Sequence, residues 1–298
     1  MTIPLRDGDL ALTIAPDRGA EARSLEFRGV EVLYQAPWCP TPLPPHPIES
    51  TPWAQAWHGG WQFLWPNAGA ECTVEGVQHS FHGAGSVAPF SVIEQDAARA
   101  ILRCELDDLV CERGFELQDG RVRATASIRN DGTRATALIA VEHLILGGRL
   151  AAEGTRIALE GGHVIGQEWD GTPAAVSQPW PLLGKEDLSL LPATTSQFAV
   201  VRDLAVGTVR VTAPDGLVCA LRFDHAAFPH LWLWEERFGA KVEPWNGECE
   251  CLAVEPSSVP SADGLAGAIE RGEATELAPG AVLESWCELA LDWIGDPK

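Results

Sequence analysis

Short stretches of alternating hydrophobic and polar residues recur along most of the chain, and this period of two is typical of β-strands with one buried face. The clearest stretch is 121–129, where Val122, Ala124, Ala126 and Ile128 share one face. The same alternation, or a short apolar run, predicts strands at 10–14, 24–27, 30–34, 136–141, 198–201, 208–212, 218–223, 231–234, 249–254 and 282–291.

Helical periodicity is weak by comparison, and only 262–273 predicts a short helical turn. Turn signals, such as Asn-Asp-Gly at 130–132 and Pro-Asp-Gly at 214–216, separate the strands. Many short strands with frequent turns predict an all-β fold, a large antiparallel β-sandwich or barrel. Because no linker or low-complexity segment divides the chain, we expect a single domain over residues 1–298.

One compositional break interrupts the pattern. Residues 37–52 are rich in proline and poor in residues able to pair in a sheet. They predict a long surface loop, and long loops on β-scaffolds often carry binding residues.

Charge narrows the classes of ligand. The 298 residues carry a formal net charge of −21 at pH 7, which argues against nucleic acid and anionic membrane as partners, since both bind basic patches. An acidic surface of this kind does not oppose neutral ligands such as sugars. Twelve tryptophans against one tyrosine add flat faces that suit the C–H faces of sugar rings, although most of them are expected in the core.

Cysteine usage and hydropathy indicate the cellular compartment in which the protein is expected. The eight cysteines form neither a compact disulfide framework nor a C-x-x-C pair, and Cys249 and Cys251 share one strand face, a poor geometry for a mutual disulfide. The sequence has no signal-peptide pattern and no run of about 18 apolar residues. We therefore expect a cytoplasmic protein with reduced thiols and no membrane partner, either a monomer or a homodimer.

The richest polar cluster follows the proline-rich segment, at 53–69. It combines four tryptophans with two glutamines, an asparagine and three glycines. This composition suits a ligand wall, in which glycine permits close backbone approach and amides bond hydroxyl groups. A strand with a tryptophan-rich core explains it equally well.

Two histidines, His79 and His82, lie three residues apart beside glycines. They would share a metal-binding face only on a helix, and the glycines argue against a helix there. No carboxylate or cysteine stands at ligand spacing, so we expect no metal site.

A further histidine and a glutamate mark the ends of apolar strands. His143 ends one such strand, and Glu255 ends the 249–254 strand, which we expect to stop there because Pro256 has no backbone N–H. A carboxylate at such a strand end is costly unless it is solvated, paired or used. The ordinary alternatives are an exposed glutamate and a core histidine.

Motifs for several other chemistries are absent from the sequence: no Gly-x-Ser-x-Gly elbow, phosphate loop or dinucleotide fingerprint occurs. Histidines, a glutamate, amides and indoles on a β-scaffold suit acid/base chemistry on a neutral polyhydroxy ligand.

Four stretches carry a resemblance to a known family. They are Gly-Trp-Gln-Phe-Leu-Trp-Pro-Asn-Ala-Gly at 60–69, His-Ser-Phe-His-Gly at 79–83, Val-Glu-His at 141–143, and Leu-Ala-Val-Glu-Pro-Ser-Ser at 252–258 with Gly-Leu at 264–265 and Leu-Ala-Pro-Gly at 277–280. In this order they resemble the aldose 1-epimerase, or galactose mutarotase, superfamily, in a divergent branch.

The resemblance implies a galactose-mutarotase-like β-supersandwich that binds a small sugar and needs no cofactor. It implies that Glu255 is the general base that takes the anomeric hydroxyl proton and that His143 is the general acid that protonates the ring oxygen. Rotation about the C1–C2 bond and reclosure then invert the anomeric centre. His82 would hold ring hydroxyls or share the acid role.

The resemblance also implies sugar contacts from a wider set of residues: Trp61, Gln62, Asn67, His79, Trp234 and Glu235, with Asp224 and Glu236 as other candidates for an acidic contact. Asn67 lacks the adjacent arginine of many epimerases, and His143 follows Glu142 rather than asparagine, so the sugar stays open. No arginine or lysine cluster accompanies the motifs, which disfavours a phosphorylated sugar.

Two other functions fit the same residues. The first is a non-catalytic carbohydrate-binding or sensing protein of the same fold, which would bind sugar without accelerating anomer exchange. The second, less favoured, is a domain of a polysaccharide lyase or glycosidase, for which the sequence lacks an aromatic and basic groove.

Overall fold

The computed structural model describes residues 2–38, 49–168 and 170–295, and we number the elements of these ranges in chain order. The strands are Ile3–Asp7 (β1), Leu10–Ala15 (β2), Glu21–Phe27 (β3), Val30–Glu31 (β4), Trp61–Leu64 (β5), Cys72–Val74 (β6), Val77–His79 (β7), Ser91–Gln95 (β8), Arg99–Leu106 (β9), Leu109–Gln118 (β10), Arg121–Asn130 (β11), Thr136–Leu138 (β12), Val141–Leu146 (β13), Arg156–Gln167 (β14), Pro173–Pro179 (β15), Leu182–Leu183 (β16), Glu186–Asp187 (β17), Thr195–Thr212 (β18), Leu217–Phe223 (β19), His230–Arg237 (β20), Glu250–Ser257 (β21), Thr275–Leu277 (β22) and Val282–Trp293 (β23). The α-helices are Ser50–Ala56 (α1) and Gly264–Arg271 (α2).

Seventeen of these strands form one antiparallel sheet system, folded into a sandwich of two layers. The first layer runs β8–β9–β10–β11–β23–β19, and the second runs β1–β2–β3–β5–β13–β21–β20. The long strand β18 joins them, because its first part pairs with β20 and its last part with β19. The predicted all-β antiparallel sandwich is confirmed, and its organisation as one domain stays a prediction.

The alternation in the sequence builds the core between the layers. In β11 every second residue from Val122 to Ile128 is buried. The same apolar cluster includes Leu102 and Phe115 from the first layer and Leu233 from the second. The predicted strand at 121–129 is therefore confirmed, together with the face that it buries.

Several predicted strand boundaries are wrong. β21 continues through Pro256 to Ser257, since one missing N–H near the end of a strand that is paired on both sides removes a single ladder bond. The stretches 198–201 and 208–212 are parts of one strand, because β14 pairs with β18 along nearly its whole length.

The two helices bear on two further predictions. The predicted helical turn at 262–273 is confirmed by α2. The predicted loop at 37–52 is wrong at its end, because α1 already begins at Ser50; residues 39–48 of that prediction lie outside the described residues. Neither helix is long and apolar enough to cross a membrane, and the described ranges contain no other candidate.

A buried ion pair lies in the core beside β13. Arg113 donates from Nη1 and Nη2 to the two carboxylate oxygens of Glu142, at 2.5 and 2.7 Å, and Trp61 donates from Nε1 to Glu142 Oε2 at 2.7 Å. The Arg113 guanidinium also lies 5.0 and 4.9 Å from the ring centres of Phe63 and Phe115. Glu142 is thereby fixed on the core face of β13, and the next residue must face the other way.

Candidate active site

The register of the second layer places acid and base groups in one row. Across β5, β13, β21 and β20, Gln62, His143, Glu255 and Trp232 lie side by side; the β13–β21 step follows from the pairs on either side of it. Directly paired residues point to the same face of a sheet. The row therefore lies on the face opposite to Glu142 and the core.

His143 and Glu255 are both buried and close together. Their exposed fractions are 4% and 3%, and His143 Nε2 lies 3.9 Å from Glu255 Oε1. This separation exceeds a hydrogen bond, but an oxygen atom of a ligand can lie within about 2.8 Å of both atoms. The two groups can therefore act on one hydroxyl group or on two neighbouring oxygens.

Burial shifts the pKa values of these two groups in opposite directions. It raises the pKa of Glu255 well above its usual value and lowers the pKa of His143 to about 3. In each case burial disfavours the charged form. Burial therefore favours the neutral pair, with Glu255 protonated and His143 uncharged.

His82 lies beside this pair, in a turn with a positive φ of 57°. Its ring centre is 5.1 Å from that of His143 and 4.5 Å from that of Trp53. The Gly69 N–H donates to His82 Nδ1 at 3.1 Å, so in the neutral ring the proton sits on Nε2. Burial lowers the His82 pKa, and His143 lowers it further; His82 is thus a neutral hydrogen-bond donor.

Close packing holds the His82 turn in place. A Cβ atom on Gly83 would lie 2.3 Å from the carbonyl oxygen of Asn67 and 2.4 Å from that of Trp65, and the φ of Gly83 is +73°. The Asn67 side chain donates to the Ser80 carbonyl at 2.8 Å and accepts from the Leu265 N–H at 2.7 Å. Asn67 therefore supports the turn that carries His82.

A cavity of about 720 Å³ lies over the His143–Glu255 row. Its aromatic walls are Trp53, Trp57, Phe81, Phe198, Trp232, Trp234 and Trp245, and its polar and charged lining includes Ser50, Thr51, Glu71, His82, His143, Gln167, Glu168, Asp170, Ser196, Gln197, Glu236, Glu243 and Glu255. The Trp57 ring lies 5.8 Å from Trp234 and 5.7 Å from Trp245. Apolar walls with a few convergent polar groups are typical of small-molecule sites.

Several buried polar atoms around the cavity have no hydrogen-bond partner among the described residues. They include Nε1 of Trp53 and of Trp57, both amide atoms of Gln62, and Nδ1 of His143. Buried polar groups are normally hydrogen-bonded. Indole donors and an amide that lack protein partners suit a ligand rich in oxygen atoms.

The structure brings together five of the residues singled out in the sequence. Glu255, His143, His82, Trp234 and Glu236 all line the cavity, whereas Asp224 is not among its described lining residues. Gln62 is the cross-strand neighbour of His143 but lies behind the lining and is fully buried.

The other predicted contact residues lie away from the cavity lining. Asn67 supports the His82 turn, and Trp61 faces the core, where it donates to Glu142. His79 ends β7 in a separate two-stranded sheet with β6. Glu235 lies on the opposite face of β20 from Trp234, since side chains alternate along a strand.

The segment 53–69 is partly cavity wall and partly core. Trp53 and Trp57 line the cavity from α1 and from the residue that follows it, whereas Trp61 and Trp65 belong to the large core cluster. The spacing of the tryptophans does not show this division, because the same interval of four residues separates Trp53 and Trp57 at the helix and Trp61 and Trp65 at β5. Trp245 also lines the cavity, although no sequence motif marks it.

A second, smaller cavity of about 370 Å³ lies against the first layer. Arg123 and Trp286 line it, with the guanidinium 4.5 Å from the ring centre. None of its described lining residues is a histidine, and it lies apart from the His143–Glu255 row. Within the described ranges no group of His, Cys, Asp or Glu is arranged to hold a metal ion. The larger cavity is therefore the candidate active site.

Comparison with solved structures identifies the fold. The chain is similar to the Slr1438 protein from Synechocystis sp. PCC 6803 (TM-score 0.76, 18% identity, covering 99% of this chain and 96% of that one). It is also similar to a protein from Escherichia coli K12 described provisionally as an aldose 1-epimerase (TM-score 0.74, 16% identity, 99% of each chain). A galactose mutarotase-like protein from Lactobacillus casei ATCC 334 matches with a TM-score of 0.72 at 14% identity, over 98% of this chain and 100% of that one.

These matches define the class by its fold: the chain has the fold of the aldose 1-epimerase and galactose mutarotase-like structures. The resemblance seen in the four sequence stretches is confirmed at that level. At the level of sequence, no protein-family profile matches the chain, and no curated protein matches it either. This is consistent with a divergent branch.

Proposed function

We propose that the protein is an isomerase of the aldose 1-epimerase type, which interconverts the anomers of a hexose or a related sugar. The observation that carries the proposal is the buried His143–Glu255 pair, 3.9 Å apart on the floor of a tryptophan-walled cavity. Burial moves the two pKa values in opposite directions. Pairs of this kind are typical of acid/base sites.

Ring opening requires one group to take the proton of the anomeric O1 hydroxyl and another to protonate the ring oxygen O5. We assign Glu255 and His143 to these steps, as the motifs predict. Burial favours the neutral pair with Glu255 protonated, and the ion pair in which Glu255 is the base differs from it by transfer of that proton to His143. Because closing is the reverse of opening, each residue acts as acid in one half-reaction and as base in the other.

The surrounding side chains would hold the sugar during this exchange. His82 presents Nε2–H as a donor to a ring hydroxyl, and the Trp53 and Trp57 indole N–H groups supply two further donors. The faces of Trp57 and Trp234 suit the C–H face of a pyranose ring. As O1 loses its proton and O5 gains one, the C1–O5 bond breaks and O1 becomes the aldehyde oxygen, and closing re-forms that bond on the other face of C1. Since no electrons are gained or lost and no group leaves the sugar, the proposal requires neither a redox nor a group-transfer cofactor.

A second candidate is a carbohydrate-binding or sensing protein without turnover. One observation favours it: His143 Nδ1 has no hydrogen-bond partner among the described residues. Catalytic histidines usually have a second group that fixes their tautomer. Sugar binding without faster anomer exchange would support this candidate.

Exchange NMR of an equilibrated hexose tests the choice, because it measures the rate at which α and β anomers interconvert. We expect the wild-type protein to raise this rate well above the spontaneous one for at least one neutral or amino hexose. Calorimetry on the same sugars separates binding from turnover. A cytoplasmic location and a monomer or homodimer remain predictions that gel filtration and fractionation can test.

A further inference from the structure

The charges around the candidate active site all have one sign. Besides Glu255, whose neutral form burial favours, five carboxyl groups line the cavity: Glu71, Glu168, Asp170, Glu236 and Glu243. Among the described lining residues there is no lysine or arginine. Such a cavity opposes phosphate and carboxylate groups on a ligand and favours a positive group.

Glu236 is the carboxyl group best placed to meet a ligand away from the acid/base pair. It is 1% exposed, and its Oε1 accepts from the N–H groups of Gly239 and Ala240 at 2.9 and 3.0 Å. Its Oε2 is buried and has no partner among the described residues. A cavity-lining oxygen of this kind is an acceptor that lacks a donor.

The β20–β21 register fixes how far Glu236 lies from the acid/base pair. Glu236 pairs with Cys251, whereas Glu255 pairs with Trp232, so the backbones of the two residues are offset by four residues, about 13 Å along the strands. With a hydrogen bond of about 2.8 Å at each end, this offset leaves room for one monosaccharide between the two side chains.

Tryptophans surround the path between the two ends. Trp234 lies on the same face of β20, midway between Trp232 and Glu236, and its ring centre is 5.2 Å from that of Trp245 and 5.8 Å from that of Trp57. Indole faces attract cations through their negative π surfaces. A carboxyl group next to such faces is the usual setting for an ammonium group.

We propose that the cavity binds a reducing hexose whose C6 carries a protonated amine, with the ammonium group on Glu236 and the anomeric carbon at His143 and Glu255. The orientation of the sugar rests on the proposed function, since the acid/base pair defines the C1 end. The ammonium site itself rests on Glu236 and the tryptophans.

The test compares 6-amino-6-deoxyglucose and 6-amino-6-deoxygalactose with the parent hexoses and with the neutral 6-acetamido derivatives. Exchange NMR at pH 6.5 gives kcat/KM for anomer exchange, and calorimetry gives Kd. We expect the amino sugars to be preferred by about tenfold to a hundredfold, the range of hydrogen bonds to charged groups. Glucosamine, with its amine on C2 beside the anomeric carbon, should gain nothing, because that amine cannot reach Glu236.

The variant Glu236→Gln keeps the shape of the side chain and removes its charge. We expect it to reduce the preference for the amino sugar to about threefold or less, whereas Glu276→Gln, on the exposed face of β22, should retain the full preference. Equal kcat/KM for parent and amino sugars, or a preference that survives in Glu236→Gln, overturns the ammonium site and leaves the proposed function intact. Preferred binding of the amino sugar without faster exchange supports the ammonium site and refutes the epimerase; neither binding preference nor exchange refutes both.

Discussion

Replacing Glu255 by glutamine removes one ionisable group and keeps nearly the same shape. The side chain is 3% exposed, lines the cavity and faces His143 across 3.9 Å. The amide can still hydrogen-bond a sugar hydroxyl, but it can neither take nor give the proton that ring opening moves. The substitution therefore separates proton transfer from binding.

The expected loss of rate follows from the contribution of one positioned acid/base group. Such groups contribute about 10²–10⁴-fold, which is about 3–5 kcal/mol of transition-state stabilisation. We expect kcat for anomer exchange to fall by this factor. Because binding contacts remain, KM should change by less than about threefold.

Stability should move in the opposite direction, which excludes unfolding as the reason for the loss. Burial raises the folded-state pKa of Glu255 above the usual 4.5 of a solvated glutamate. Above pH 4.5 the unfolded chain ionises this group while the folded protein keeps it protonated, so the wild type loses stability as pH rises through that range. Glutamine has no charge to acquire, and Glu255→Gln should be at least as stable as the wild type at pH 8.

Two measurements on the same preparation decide the matter: exchange NMR for the rate and urea unfolding at pH 5 and pH 8 for stability. Glu276→Gln serves as a matched control, since it makes the same chemical change on the surface. An exchange rate in Glu255→Gln within about threefold of the wild type would refute the assignment of Glu255 to proton transfer. A large loss of stability would instead refute the account of its burial.

Three further outcomes follow from buried groups and close contacts, each measured by urea unfolding. Burial, with Glu186 and Asp187 nearby, raises the pKa of Glu235 to about 8, so wild-type stability should fall between pH 4.5 and 8 by up to about 5 kcal/mol. Glu235→Gln should remove this fall, and a variant with the same pH profile as the wild type would contradict the prediction. Arg113→Met should cost about 3–5 kcal/mol by leaving Glu142 buried and unpaired, and adding Glu142→Gln should restore part of it; a double variant no more stable than the single one argues against the pair. Gly83→Ala should destabilise far more than Gly120→Ala, because both glycines have a φ of +73° but only Gly83 has backbone atoms at 2.3 Å; equal costs would show that the contact relaxes.

The fold was predictable because the alternation of residues records which face of each strand is buried. The stretch 121–129 shows this best, since its buried face is the one that the pattern predicts. Boundaries were harder to predict, because they depend on partner strands. β18 continues beyond Val201 because β14 pairs with Arg202 and Leu204 and again from Val209 onward, on either side of an irregularity in the register, and this partnership leaves no local signal.

The candidate site was predictable where a titratable residue falls on the cavity face, as His143 and Glu255 do. The interpretation of Trp234 and Glu235 as joint sugar contacts overlooked the period of two, because neighbouring residues of a strand face opposite sides. If Trp234 lines the cavity, the acidic residue on its face is Glu236. The same rule places Trp61 and Gln62 on opposite faces of β5. Only the pairing of β5 with β13 shows that Trp61 faces the core and Gln62 the side of His143.

The adjacent residues Glu142 and His143 also have a consequence for how the sheet aligns during folding. All six residues of β13 are buried, so its apolar side chains give little preference for one face over the other. A slip of one residue would turn Glu142 into the cavity and leave the Arg113 guanidinium in the core without its carboxylate, at a cost of several kcal/mol. We infer that this ion pair selects the register of β13. The same register places His143 opposite Glu255, so the ion pair also determines the position of the acid/base pair.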